Sequence, residues 1–315
     1  MAEIWTMGEL LCEIMRPQAG IPLYEPGTFL GPFPSGAPAI FIDTAARLGH
    51  SCGIIGGVGE DDFGACLLNR LQRDGVDCSR ITRYRDGSTG AAFVTYFPDG
   101  SRKFLYHFAD TPATRPKAPK ADALGTGCRL FHIMGCSLTA KKEFGREILK
   151  LAGELSQKGA MISFDPNIRP ELMKSNWAME LIRQAMELSS ILLPGVSELQ
   201  AISGKSAIPD AVASCFSNPR IRILALKDGS RGCTVYTRKE TVTMGVYPVE
   251  VRDATGAGDC FDAAFLCGIL EGRPLFQAAR MASAAAALNT AAFGPMEGSI
   301  SREAIEQMIS RLIPG

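Results

Sequence analysis

The 315-residue sequence predicts an α/β fold: a doubly wound, mainly parallel sheet flanked by helices, carrying a small β-sheet lid. Three observations carry that prediction. Strand-like apolar runs alternate with stretches of helical spacing over most of the length. Several helical stretches stop at a glycine, which closes a helix by entering the left-handed region at no Cβ cost. Two segments break the alternation, one without helical periodicity and one that reads as a hairpin.

Residues 4–7 form a short apolar run ending at Gly8, a first strand. Residues 38–48 carry apolar side chains at helical spacing and stop at Gly49. Residues 52–55 read as a strand running into a glycine-rich loop of Gly56, Gly57, Val58 and Gly59, and 63–74 as a helix ended by Gly75. Strand 130–134, helix 142–158 and strand 160–164 follow. Then come helix 176–188, strand 190–193, helix 197–202 and strand 221–226. The Ala-rich stretch 278–292 is interrupted by Arg280, Ser283 and Asn289, so it reads as a buried helix rather than a membrane span.

The two exceptions are 13–34, rich in Pro and Gly without helical period, and 90–108, two strands around the turn Pro98, Asp99, Gly100. Together they would form a small sheet projecting over a site. The expected division is an α/β body at 1–12, 35–87 and 114–315, with a β lid at 13–34 and 88–113.

Composition narrows the function. Thirty-three basic residues balance thirty-three acidic ones, so no global field draws the chain to nucleic acid or an anionic membrane, and neither is expected as a partner. Ten cysteines occur without a C-x-x-C pair, which fits small buried hydrophobes in a reducing cytoplasm. The first residues lack a basic region followed by an apolar one, so no signal peptide is expected. His50, His107 and His132 show no metal-ligand spacing; structural roles suit the first and last, and His107 falls on the expected lid. Walker A and G-x-S-x-G patterns are absent.

Residues 249–270, VEVRDATGAGDCFDAAFLCGIL, carry the most chemistry. A strand-like run leads to Asp253, a turn of small residues follows, and an apolar helix begins. Small residues at a helix N-terminus let backbone N–H groups approach an anion closely, and the helix dipole favours phosphate there. Asp259 sits in that electropositive turn. It either caps the helix or accepts a proton from a hydroxyl that attacks a phosphoryl group.

This segment, Asp253-Ala254-Thr255-Gly256-Ala257-Gly258-Asp259-Cys260-Phe261, resembles D-x-x-G-A-G-D-x-F, the second signature of the PfkB, or ribokinase-like, carbohydrate kinases. Further resemblances fall in that family's order. They are the Gly8-Glu9 turn, Ser35-Gly36-Ala37-Pro38-Ala39 with Ala45-Ala46-Arg47-Leu48-Gly49, and Gly56, Gly59, Asp61 and Gly64. Phe164-Asp165-Pro166-Asn167-Ile168-Arg169 resembles the strand end of 2-keto-3-deoxygluconate kinases and fructokinases. Lys227-Asp228-Gly229-Ser230-Arg231-Gly232 resembles the K-x-G-x-x-G nucleotide loop.

The resemblance spans essentially the whole chain and implies ATP-dependent phosphorylation of a hydroxyl, with a primary one favoured, on a small sugar or sugar acid. Asp259 would be the general base, and the amides of Gly256, Ala257 and Gly258 the anion hole. Glu13, Gly36, Ala37, Tyr106, Asp165, Arg169 and Asp259 would hold the sugar. Lys227, Gly229, Gly232, Gly256, Gly258 and Ser283 would hold ATP, and Glu198 would organise Mg²⁺. A monovalent cation is a further cofactor the family raises, and the outer lid face offers a surface for a homodimer.

The chain departs from the family pattern in places. Ser35 and Ile40 stand where the first signature has Gly and a substrate-binding Asn, and Ile cannot make that hydrogen bond. Gly195 replaces the Asn of N-x-x-E, leaving Glu198. Glu13 occupies the neighbourhood where the family's opening strand often runs to an Asp that holds the sugar. Leu105-Tyr106-His107 replaces the Tyr-Tyr-Arg of 2-keto-3-deoxygluconate kinases. Ile40 and Gly195 motivate an alternative, a ligand-binding sensor without efficient catalysis; a nucleoside kinase of the same family is another.

Overall fold

A computed structural model describes residues 2–99, 101–173 and 175–311; Gly100 of the expected hairpin turn and the outermost residues of the expected body lie outside them. The strands in chain order are β1 (Ile4–Met7), β2 (Leu11–Met15), β3 (Leu30–Ser35), β4 (Cys52–Gly59), β5 (Asp77–Tyr84), β6 (Gly90–Tyr96), β7 (Arg102–His107), β8 (Leu130–Met134), β9 (Met161–Asp165), β10 (Ile191–Leu192), β11 (Ile223–Lys227), β12 (Cys233–Tyr236) and β13 (Thr241–Met244). The helices are α1 (Ala37–Arg47), α2 (Asp62–Arg73), α3 (Gly135–Ala140), α4 (Lys142–Gln157), α5 (Asn176–Leu188), α6 (Val196–Ser203), α7 (Ile208–Phe216), α8 (Ala257–Leu270), α9 (Leu275–Thr290) and α10 (Arg302–Ser310).

Nine strands form the large sheet in the order β13-β12-β11-β10-β9-β8-β1-β4-β5. All neighbours from β11 to β5 pair in parallel; β12 and β13 add antiparallel at one edge. The central strands β1, β4 and β8 are buried along their whole length, as a parallel sheet covered on both faces requires. Successive residues therefore feed opposite cores. Ile4, Ile54 and Leu130 join Phe41, Phe265 and Ala282 on one face. Trp5, Ile55 and Phe131 join Phe144, Ile148 and Ile182 on the other. The Ala-rich stretch is the buried helix expected of it. Small residues let α8 and α9 pack closely: a Cβ on Gly268 would stand 3.0 Å from the Cβ of Ala278.

The glycine-rich 56–59 segment corrects the sequence expectation, because it is the second half of β4 rather than a loop. Its glycines answer close packing: a Cβ on Gly56 would meet Leu10 Cδ1 at 2.7 Å, and one on Gly57 would collide with the Pro112 carbonyl. Strands β5, β12 and β13 lacked a legible sequence signal. β5 alternates poorly because it is a largely exposed edge.

The two irregular segments do combine into one sheet, in the order β3-β2-β6-β7. β2 pairs antiparallel with β3 and parallel with β6, and β6–β7 is the expected hairpin. Its first strand begins at Leu11, two residues before the anticipated segment. Between β2 and β3 the chain wraps around Arg16, a fully buried side chain. Its guanidinium donates to the carbonyls of Thr28, Pro22 and Glu25 and lies 3.9 Å from the Phe29 ring centroid. Among the described residues no helix is long and apolar enough to cross a membrane.

Candidate active site

A cleft of about 970 Å³ opens between the small sheet and the carboxyl ends of the large sheet's strands. This is where open α/β sheets bind ligands, because adjacent connections there depart to opposite faces. β1 delivers Glu9, β9 delivers Asp165, β11 delivers Lys227, and α8 begins at the cleft floor with Gly256, Gly258 and Asp259. Arg102, Phe104 and Tyr106 of β7 line the opposite wall.

The turn before α8 is shaped by its neighbours. Asp253 accepts from Thr255 N at 2.9 Å and from Gly294 N at 3.1 Å, while buried Asn289 donates from Nδ2 to Thr255 O at 2.7 Å. Gly256 has φ +80°, and a Cβ there would collide with the Pro295 carbonyl, so glycine is required. Ala257 N reaches Ala254 O at 3.4 Å. The amides of Gly256, Gly258 and Asp259 have no partner among the described residues. Unpaired donors at the start of a 14-residue helix make an anion seat.

Asp259 does not cap α8; Gly256 holds the N-cap position, and no side chain caps this helix. The carboxylate faces the cleft instead, with Oδ1 accepting from Asn167 Nδ2 at 3.4 Å. Burial, reinforced by the nearby Asp165 charge and opposed by Arg169 and Lys227, pushes its pKa up to about 7. That value suits a group taking up a proton near neutral pH.

Lys227 departs from the sequence expectation. Its ammonium is committed to protein carboxylates, 2.9 Å from Asp165 Oδ2 and 3.0 Å from each oxygen of Asp262. The expected sugar ligand Asp165 is likewise engaged; against the cost of burial, Lys227 holds its carboxyl well below the usual range. Asp165 Oδ1 also accepts from Asn167 N at 3.0 Å, and Oδ2 from Asn167 Nδ2 at 3.3 Å. Glu198 accepts from the N-cap amide of its own helix, Gly195 N, at 2.7 Å and from Ile168 N, beyond the end of β9, at 2.8 Å. It lines the cleft, and burial raises its pKa.

A second cavity of about 440 Å³ meets the cleft at Lys227, Gly229, Ser230 and Gly258. Its walls are apolar, including Val246, Tyr247, Val251 and Phe261, and Gly232, Ala257 and Ser283 line it as well. Gly232, at φ +93°, lies so close to the Met244 carbonyl that a Cβ would overlap it.

The sequence pattern of the pfkB family carbohydrate kinases matches residues 31–302. The chain belongs to this family. It is accordingly a carbohydrate kinase, transferring a phosphoryl group from ATP to a sugar hydroxyl. The kinase is 30% identical over 285 residues to Fructokinase-2 of Solanum lycopersicum, covering 87% of this chain and 84% of that protein. It is 37% identical, with a TM-score of 0.92, to an E. coli protein assigned provisionally as Ribokinase II and crystallised with ATP and Mg²⁺; 99% of this chain and 100% of that one are covered. A fructokinase from Xylella fastidiosa with bound ATP shares the fold, at 22% identity, TM-score 0.86 and 99% coverage of both chains.

Elsewhere on the cleft wall, Glu13 is buried and accepts from Ser35 Oγ at 2.6 Å, leaving Oε2 without a partner among the described residues. Burial pushes its pKa up to about 7, with the Ser35 bond opposing. Gly36 caps α1 at φ +104°, and Ala37 follows on the cleft wall. Ile40 packs behind the turn, and a Cβ on Gly256 would sit 3.3 Å from its Cγ2. Tyr106 stacks on Phe104 at 5.4 Å with the rings 2° from parallel. Arg169 projects into the cleft with no carboxylate within ion-pair range among the described residues.

The cleft also holds residues that the sequence reading did not place in it. Arg102 of β7 donates to Thr255 Oγ1 at 2.8 Å, tying the small sheet to the anion seat. Strand alternation could have found it, since 102, 104 and 106 share one face. His107 lies on the other face, edge-on to Phe93. Glu9, bonded to Ser137 Oγ and at 3.1 Å to Cys136 Sγ, is a buried carboxyl on the cleft wall. His50 bridges Glu3 and Glu271 at 2.9 and 3.0 Å, and His132 stacks on Phe41, so both are structural.

Proposed function

We propose that this kinase phosphorylates a primary hydroxyl of a ketose, with Asp259 as general base and the amides of Gly256, Ala257 and Gly258 as the anion hole. The observation that carries this reading is the juxtaposition at the start of α8: a buried carboxylate with pKa about 7 beside the unpaired amides of Gly256 and Gly258 on one cleft floor. The 440 Å³ apolar cavity suits an adenine, with Gly229, Gly232 and Ser283 around it and the phosphates running toward Gly258.

Asp259 would take the hydroxyl proton as that oxygen bonds to the γ-phosphorus and the bond to the β–γ bridging oxygen breaks, releasing ADP. The fixed amides are already oriented toward the spreading charge, which is the dominant contribution in such transfers. Among the described residues no cluster of three ligating side chains could hold a metal. Mg²⁺ bound mainly through phosphate oxygens and water fits that arrangement, with Glu198 within the same cleft. The metal would neutralise phosphate charge; Lys227 acts instead beneath the site, keeping Asp165 charged.

The small sheet serves as a lid, with Arg102 reaching Thr255 when it is closed. Its outer exposed Leu30, Phe97 and Leu105 favour pairing with a second copy, which light scattering would test. The fructokinase relatives and the Asp165–Arg169 strand end favour a ketose. Arg169, which meets no carboxylate among the described residues, supports a second substrate class, a keto-sugar acid whose carboxylate it would clamp. Free cysteines throughout suit a reducing cytoplasm.

The test is ADP release over fructose, 2-keto-3-deoxygluconate, ribose and nucleosides, with native protein and Asp259→Asn. The native protein should turn over a ketose or keto-sugar acid, and the variant should lose about a thousandfold or more in kcat. Near-native turnover by Asp259→Asn refutes the base. Ligand binding without ADP on any substrate would favour a sensor.

A further inference from the structure

Asn167 is the one non-glycine described residue with left-handed backbone, at φ 40°. Asparagine tolerates this region better than most residues, yet the conformation still carries strain that the surroundings must hold. Here it is held by Asp165 Oδ1, which accepts from Asn167 N at 3.0 Å and closes an Asx turn. The turn places a buried amide side chain, 5% exposed, between two carboxylates.

The orientation of that amide is decided by its neighbours. One end faces Asp165 Oδ2 at 3.3 Å and Asp259 Oδ1 at 3.4 Å. Both are acceptors, so the NH₂ must point there; the flipped amide would set three oxygens against one another. Oδ1 then points away from both carboxylates. It is buried, lacks a partner among the described residues, and belongs to a side chain on the cleft wall. An unpaired buried acceptor costs about 1–3 kcal/mol unless a ligand satisfies it.

We propose that Asn167 aligns the base and touches the sugar: Nδ2 fixes Asp259 Oδ1, so that Oδ2 is the oxygen presented to the attacked hydroxyl, while Asn167 Oδ1 accepts from a neighbouring substrate hydroxyl. This rests on the assignment of Asp259 as base. Asn167 thereby completes a chain of contacts, Lys227 to Asp165 to Asn167 to Asp259, that connects a buried cation with the reacting group. Its left-handed backbone has a use in this arrangement, since an extended residue at the end of β9 would carry its side chain away from α8.

The groups whose charges bear on Asp259 are Glu9 after β1, Asp165 at the end of β9, Arg169 beyond it and Lys227 at the end of β11. Glu198 of α6 shares the cleft, and Asp262 of α8 is bonded to Lys227. Of these only Asp165 loses a bond on substitution at 167, and Lys227 still holds it ionised, so a shift in the acid limb of the rate profile reports the contact to Asp259. Removing a donor that stabilises the ionised carboxylate moves that limb to higher pH. Adding a carboxylate in its place moves it further.

The experiment compares the native enzyme with Asn167→Gly, Asn167→Asp and Asp259→Asn on the best substrate of the panel. Glycine keeps the turn, relieves the φ strain and removes both contacts. Its melting temperature should equal or exceed the native value, while kcat falls about 10- to 100-fold, the sugar KM rises several-fold and the ATP KM stays within about twofold. The midpoint of the acid limb should rise in the order native, Asn167→Gly, Asn167→Asp. A folded Asn167→Gly with native kcat, sugar KM and pH midpoint overturns the proposal. Should that variant fail to fold, Asn167→Ala, which removes the amide without adding a charge, decides: a raised midpoint supports the contact and an unmoved one refutes it. An active Asp259→Asn would instead overturn the base assignment on which this rests.

Discussion

Replacing Asp259 by Asn should destroy activity and stabilise the fold, and the stabilisation should depend on pH in a direction the structure sets. An unperturbed aspartate ionises near 3.8; in the fold, burial beside Asp165 delays ionisation to about 7. Between those values the folded chain binds a proton that the unfolded chain has released. Stability therefore falls as pH rises through this window and remains reduced above it. At about 1.4 kcal/mol per pK unit, the buried carboxylate costs on the order of 4 kcal/mol at pH 8 but only about 1 kcal/mol at pH 4.5. An amide of the same shape carries no such cost and still faces Asn167. At roughly 2 °C per kcal/mol for a chain of this size, Asp259→Asn should melt about 8 °C higher at pH 8 and about 2 °C higher at pH 4.5. Calorimetry of the unliganded protein at both pH values measures this. A variant no more stable than the native protein at pH 8, or equally stabilised at both, would show that the carboxylate is not held in the desolvated state argued here.

Other substitutions probe the remaining supports. Lys227→Met leaves Asp165 and Asp262 buried without their cation and should cost about 3–5 kcal/mol in urea unfolding. The ATP KM should change little, whereas a direct phosphate ligand would raise it tenfold or more. Gly256→Ala forces an L-residue to φ +80° against the Pro295 carbonyl. It should cost at least about 2 kcal/mol and abolish turnover, read by melting and ADP release together. Arg102→Ala and Thr255→Val should each lower kcat/KM several-fold, and the double variant should be no worse than the poorer single one. Additive losses would mean that the 2.8 Å contact between them has no role in closing the site.

The sequence by itself determined the architecture and located the floor of the site. Alternating strand and helix signals with glycine stops give the parallel body, since burial on both faces leaves a local record in composition. The segment 253–261 gave the turn, because its small residues answer a steric requirement set within a few positions. Other features depended on groups far apart in sequence. The glycines at 56–59 look like a loop, and only Leu10 and Pro112 pressed against them explain why they are strand.

Lys227 looks like a phosphate ligand until Asp165 and Asp262, 62 and 35 residues away, accept its hydrogen bonds. Asp259 could as well have been a helix cap; tertiary structure decided otherwise by placing Asn167, 92 residues distant, against one of its oxygens. The physical reason is common to all three. In each case the deciding groups lie far away in sequence and are brought close only by the fold, so local spacing holds no record of them.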